Sequence, residues 1–131
     1  MLRIGGYLIT IIYPTFHVEK LKRIIQTTLD DDKAEDIVSL NLAGKSSLAD
    51  YMIVASGTSQ RHMQTLAEHV AQKLRAIGYD FVTLDGMDSE EWIVVDAGDV
   101  LVHLMRPDAR RTYNLEKMWG ADLSATAEVA V

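Results

Sequence analysis

The stretch Glu91-Trp-Ile-Val-Val-Asp-Ala-Gly-Asp-Val-Leu-Val-His-Leu-Met105 restricts the possible folds more than any other part of the chain. Two strongly β-forming runs flank Asp96-Ala97-Gly98-Asp99, and a short Gly-containing connection between such runs predicts a β-hairpin. Side chains alternate across a strand, so Ile93, Val95, Val100, Val102 and Leu104 share one face, while Trp92, Val94, Asp96, Leu101, His103 and Met105 share the other. The first set is aliphatic and belongs in a core. The second mixes Trp, His, Met and Asp, which is too varied for a core and too apolar for an idle surface.

The rest of the chain supplies what the hairpin packs on. Val18, Leu21, Ile24, Ile25, Thr28 and Leu29 recur at helical spacing, with Glu19, Lys20, Lys22 and Arg23 opposite, so an amphipathic helix is expected after Pro14. Asp30-Asp31-Asp32 should end it, because carboxylates at a helix C-terminus oppose the macrodipole. That triplet is read as a solvated helix exit and not as a metal site. Ile37, Val38, Leu40 and Leu42 suggest a first strand, and Tyr51 to Ala55 a buried second one. From Ser59 to Ile77, Met63, Leu66, Ala67, Val70, Ala71, Leu74 and Ile77 form a helical stripe, with Thr58 or Ser59 as N-cap and Gly78 at the C-terminal end. Tyr79 to Leu84 reads as a third strand, and Asp108 to Trp119 as a terminal helix begun by Pro107. The weakly patterned tail Ala121 to Val131 is expected to be mobile.

This order predicts the α/β class: a mixed sheet of about five strands, with a parallel β-α-β unit from Tyr51 to Leu84 and a C-terminal antiparallel hairpin. Three helices are few for covering both sheet faces, so one face should be partly exposed. The 131 residues are enough for one domain with its own core. Residues 18–119 are expected to form that domain, with 1–17 as an N-terminal extension and 120–131 as a tail. The apolar run Ile4 to Tyr13 is shorter than the roughly 20 residues of a membrane span and lacks a small-residue cleavage site. An extra β-segment, a mobile arm or translation from an upstream start is expected there.

A net charge of −6 argues against nonspecific binding to nucleic acid through a basic surface, so any link to RNA should run through a protein. With no cysteine there is no thiol nucleophile and no Cys-based zinc site, and a reducing cytoplasm fits. Gly44-Lys45-Ser46 resembles the end of a phosphate-binding loop, but the required upstream Gly is Ser39 and no helix obviously follows. Asp96 and Asp99, like Asp85 and Asp88, bracket turns, where carboxylates commonly bond the turn backbone. His62 and His69 lie on the second helix roughly 10 Å apart along its axis, too far for one metal ion. His103 has no Ser or Cys partner, and reads as an interface or core residue. The Ser56-Gly57-Thr58-Ser59 junction could hold an anion at a helix N-terminus, although ordinary capping explains the same residues. No catalytic centre, metal site or cofactor is expected.

Five blocks in order carry a family resemblance: Lys33-Ala-Glu-Asp-Ile-Val-Ser-Leu, Gly44-Lys-Ser-Ser-Leu-Ala-Asp-Tyr, Ala55-Ser-Gly-Thr-Ser-Gln-Arg-His, Glu91 to His103, and Tyr113-Asn-Leu-Glu-Lys-Met-Trp. Over about Val18 to Trp119 the chain resembles the Iojap family, the bacterial ribosomal silencing factors. The resemblance implies a nucleotidyltransferase-like fold without catalysis. It also implies binding to the large ribosomal subunit at ribosomal protein L-fourteen, steric obstruction of subunit joining, and repression of translation when nutrients are scarce. A homodimer in the free state is implied as well. The carboxylate pair that nucleotidyl transfer needs for metal ions is missing from the strand Phe81-Val82-Thr83-Leu84. Asn41 and Met105 stand where the family pattern has Asp and an aromatic.

The expected partner surface comprises Trp92, Val94, His103 and Met105, with Asp96 and Asp99 at its edge and Asp50 and Tyr51 contributing from the neighbouring strand. Trp is a typical interface anchor, and carboxylates at a rim complement the basic surfaces of ribosomal proteins. A plainer expectation packs Trp92 under the terminal helix near Trp119. An alternative function is a nucleotide- or phosphate-binding enzyme using Ser56 to Ser59 and His62.

Overall fold

A computed structural model describes the backbone of residues 7–113 and 127–129, and the side chains of residues 18–113. The hairpin forms as expected from β4 (Trp92–Asp96) and β5 (Val100–Met105), paired antiparallel with Trp92 opposite Met105 and Val94 opposite His103. Its other edge is β3 (Thr83–Asp85), shorter than the strand expected from Tyr79. Beyond β5 lie β2 (Tyr51–Ser56), parallel to it, and β1 (Glu35–Asn41), antiparallel to β2. A sixth strand, β6 (Ala127–Val129), closes the order β3-β4-β5-β2-β1-β6. The sheet is mixed, as expected. β6 comes from the tail expected to be mobile; three residues in a weak pattern carry no local strand signal, and the pairing with β1 supplies it.

α2 (Gln60–Ala76) connects β2 to β3, which run in the same direction but are separated by β5 and β4. The parallel crossover therefore passes over the hairpin, and the adjacent parallel pair is β2 with β5. Ser59 caps α2, its hydroxyl accepting from the His62 N–H at 3.0 Å. At the other end the N–H groups of Gly78 and Tyr79 return to the carbonyls of Arg75 and Leu74, with Gly78 at φ +87°, the arrangement that most often selects Gly. The stripe from Met63 to Leu74 is buried, whereas Ile77, past the last helical turn, is exposed.

α1 (Tyr7–Asp31) starts before Pro14, where a β-segment or mobile arm was expected, and runs on without a break into the amphipathic part. Local β propensity is a weak prior that an adjoining helix overrides. The helix stops because Lys33, at φ +68°, lets the Lys33 and Ala34 N–H groups close onto the carbonyls of Asp30 and Leu29. α3 (Pro107–Tyr113) opens the expected terminal helix, and Trp119 lies outside the described residues.

Alternation assigns the two sheet faces. Ile37, Tyr51, Ile53, Ala55, Ile93, Val95, Val100, Val102 and Leu104 pack with Leu21, Ile25 and Leu29 of α1 and with the α2 stripe to form the main core. On the opposite face Leu40, Met52, Val54 and Met105 gather with Leu42 into a second, smaller buried cluster, against which Val38 and Trp92 pack. The exposed sheet face is therefore narrower than expected.

Candidate docking surface

The strip of the second face that stays partly open is centred on the hairpin. Trp92, Val94, Leu101 and His103 are half-buried there, and Asp96 is exposed. Register fixes their neighbours: one row across the sheet runs Asp85, Val94, His103, Val54, Val38, and the next runs Thr83, Asp96, Leu101, Met52, Leu40. The aliphatic ends of both rows sink into the second cluster, so the polar and aromatic character is concentrated on β4 and β5.

Trp92 is held from two sides. Its indole Nε1–H donates to His103 Nδ1 at 3.0 Å, and the two rings lie 5.7 Å apart, tilted by 53°. Tyr113 of α3 stands 4.8 Å away from it at 45°. An indole nitrogen only donates, so His103 Nδ1 must be the acceptor, with the ring proton on Nε2. Burial pushes the His103 pKa below its ordinary value, which favours this neutral form. Ser89 Oγ accepts from the Trp92 backbone N–H at 3.1 Å and anchors the start of the strand. α3 is itself fixed by Arg110, which is buried and donates to Ser56 Oγ at 2.9 Å.

The carboxylates expected at the edge sit around the hairpin turn. Asp96 Oδ1 accepts from the Gly98 N–H at 2.9 Å in the hairpin turn, and the Asp99 carbonyl accepts from the N–H groups of Asp50 and Tyr51. Asp50, Asp96 and Asp99 thus lie at one end of the strip, and Trp92 and Tyr113 at the other.

Two expected members do not belong. Tyr51 sits on the helix-covered face, its hydroxyl donating to Glu19 at 2.6 Å and its ring lying under the Lys22 ammonium. A residue on the Trp92 face of β2 would have to be Met52 or Val54. Met105 is on the correct face but fully buried, enclosed by the second cluster, and offers a partner nothing to touch. Two residues were missed. Leu101 shares the strip by simple alternation, and Tyr113, 46% exposed, reaches it from α3, where its helix-face pairing with Ala109 was the available signal. The plainer expectation for Trp92 is half met, since it packs against the terminal helix through Tyr113 yet stays partly open.

Several donors and acceptors of the Ser56–Ser59 junction are used internally. The Gly57 N–H goes to the Met105 carbonyl, the Thr58 N–H to His62 Nδ1 and the His62 N–H to Ser59 Oγ, while Ser56 Oγ receives Arg110. Because His62 Nδ1 accepts, its Nε2–H donates to the Asp32 carbonyl at 2.9 Å. The same aspartate's carboxylate meets His69 Nδ1 at 2.5 Å, so both helical histidines close onto the turn after α1. The grooves beside α2, of about 340 and 270 Å³, bring together no pair of carboxylates. Among the described residues, no group of three His, Cys, Asp or Glu could hold a metal ion.

The comparisons with known proteins agree with one another. Residues 15–130 match the family model described as ribosomal silencing factor during starvation, RsfS. The chain is similar to the ribosomal silencing factor RsfS of Zymomonas mobilis, 42% identical over 81% of this chain and 80% of the relative. It is also similar, at 31% identity, to the mouse protein called mitochondrial assembly of ribosomal large subunit protein 1, over 73% of this chain but 43% of that longer one. Among solved structures, a Chromobacterium violaceum protein superposes with a TM-score of 0.75 at 41% identity, covering 79% of this chain and 86% of that one. A Bacillus halodurans protein does so with a TM-score of 0.69 at 34% identity, covering 77% and 94%. With a fold and a sequence that both match, the chain belongs to the RsfS family of ribosomal silencing factors, regulators and not enzymes.

Proposed function

We propose that this protein binds the large ribosomal subunit at ribosomal protein L-fourteen and sterically blocks joining of the small subunit, repressing translation when nutrients are limiting. The docking surface in this reading is Trp92, Val94 and His103 with Leu101 and Tyr113, rimmed by Asp50, Asp96 and Asp99. One observation carries it: a half-buried Trp, stacked on Tyr113 and hydrogen-bonded to His103, lies on a sheet face whose far end is acidic. Aromatic anchors with a charged rim are what protein interfaces use, and the acidic rim complements the Lys- and Arg-rich surfaces of ribosomal proteins. The names of the relatives, a ribosomal silencing factor and a protein of ribosomal large-subunit assembly, support a partner on the ribosome.

Residues 18–119 form the binding domain in this proposal, with 1–17 and 120–131 as appendages, and the free protein is a homodimer in the cytoplasm. Among the described residues no helix is long and apolar enough to cross a membrane. The Gly57, Thr58 and His62 N–H groups bond within the protein and are not offered to the anion that the alternative, a nucleotide- or phosphate-binding enzyme, would require.

Sucrose-gradient co-sedimentation with separated ribosomal subunits tests the proposal. The protein should travel with large subunits, and Trp92→Ala should weaken that association roughly tenfold or more while keeping a folded circular-dichroism spectrum. Association with small subunits alone, or no effect of Trp92→Ala, would remove this face from the mechanism.

A further inference from the structure

We infer that His103 is a positioning residue for docking: its neutral imidazole, accepting at Nδ1, fixes the orientation in which the Trp92 indole meets the partner. The inference rests on the docking reading above and adds to it a reason why a histidine stands at this place in the strip. Trp92 and His103 sit on neighbouring strands, two register positions apart along the hairpin and on the same face, because Trp92 is opposite Met105 and His103 is opposite Val94. From that diagonal the indole N–H reaches Nδ1 at 3.0 Å, and Tyr113 confines the ring at 4.8 Å. An indole pinned by a hydrogen bond and by a stacked ring is already ordered before it binds, so less side-chain entropy is lost on docking.

The arrangement fails when Nδ1 is protonated, because two donors then face each other. His103 is surrounded by apolar neighbours: Val94 and Trp92 from β4, Val54 from β2, and Leu101 and Met105 along its own strand. Among the described residues, the charged or titratable groups on the same side include Asp85 beyond Val94, Asp96 opposite Leu101 with Asp50 and Asp99 at the same end, Glu35 opposite Ser56, and Arg110 and Tyr113 of α3. Burial lowers the affinity of His103 for a proton, which favours the neutral acceptor.

The test measures binding of the full chain to purified large ribosomal subunits at about pH 8, together with the indole N–H resonance of Trp92, assigned by difference with Trp92→Phe. His103→Leu removes the acceptor. His103→Asn returns an acceptor oxygen near the position of Nδ1 that does not titrate. His103→Leu is expected to bind roughly tenfold more weakly at pH 8, the size of one lost hydrogen bond, and to shift the indole resonance. His103→Asn should recover most of that loss and return the indole resonance towards its wild-type position. If His103→Asn binds as weakly as His103→Leu, or the indole resonance is unchanged in His103→Leu, the positioning role is overturned while the docking reading stands. If Trp92→Ala binds large subunits as tightly as the wild type at pH 8, the docking reading itself fails and the inference falls with it.

Discussion

Tyr79, in the loop after α2, donates its hydroxyl to the carbonyl of Ala97 at 2.6 Å and thereby pins the turn of the hairpin that carries the docking face. The contact leaves little room. A Cβ on Gly98 would lie 3.0 Å from the Tyr79 hydroxyl, and Gly98 already adopts φ +77°. Burial raises the Tyr79 pKa, and the nearby carboxylates of Asp99 and Asp96 raise it further. A group whose pKa is higher in the folded state stabilises that state below its ordinary value of 10.0, and the contribution is lost as pH rises through the raised value.

Removing the hydroxyl should therefore loosen the turn without unfolding the domain. Tyr79→Phe is expected to lose about 1 kcal/mol, the net worth of one hydrogen bond, and Gly98→Ala more, since left-handed strain adds to the close approach. Urea denaturation checks both. Repeated above pH 10, it should show the wild type losing stability towards Tyr79→Phe, which has no phenol to ionise.

Met105 separates the two roles of the hairpin's outer face. It is 0% exposed among Leu40, Leu42, Met52 and Val54, so Met105→Ala should destabilise by about 2–5 kcal/mol, the range for emptying a packed site. Met105→Leu, nearly isosteric, should cost less than about 1.5 kcal/mol. At temperatures where the variants are still folded, their binding to large subunits should match the wild type, in contrast to Trp92→Ala. A binding defect in folded Met105→Leu would return Met105 to the docking surface.

The difference between Met105 and Trp92 also marks how far the sequence could be read. The hairpin, its two faces and its three-residue turn follow from strict alternation and one Gly, and the Ser59 cap and Gly78 terminator of α2 follow from local hydrogen-bonding chemistry. Tyr51 was misplaced because β2 is buried on both faces, so its uniformly apolar run carries no alternation from which to read parity. Only its parallel register with β5, Tyr51 opposite Val100, sets which side it takes. The burial of Met105 and the pairing of β6 depend in the same way on strands distant in sequence, which no local pattern encodes. The sequence carried no sign of what the histidines of α2 meet, because Asp32 lies 30 and 37 positions before them.

That shared aspartate gives a last, sharper expectation. His69 meets the Asp32 carboxylate, with side chains 44% and 26% exposed, whereas His62 donates to the Asp32 backbone carbonyl. Substituting Asp32 by Asn deletes the charge but leaves the carbonyl in place. A double-mutant cycle between Asp32→Asn and His69→Ala should then show coupling of at most about 1 kcal/mol that shrinks with added salt, as for a partly exposed ion pair. The cycle between Asp32→Asn and His62→Ala should show coupling near zero, although His62→Ala alone loses about 1–2 kcal/mol by stranding both the Asp32 carbonyl and the Thr58 N–H. Thermal melts of the six proteins, the wild type included, decide it. Equal coupling in the two cycles would mean that both histidines bind the carboxylate, and that the closure between α1 and α2 is ionic instead of being tied through the backbone.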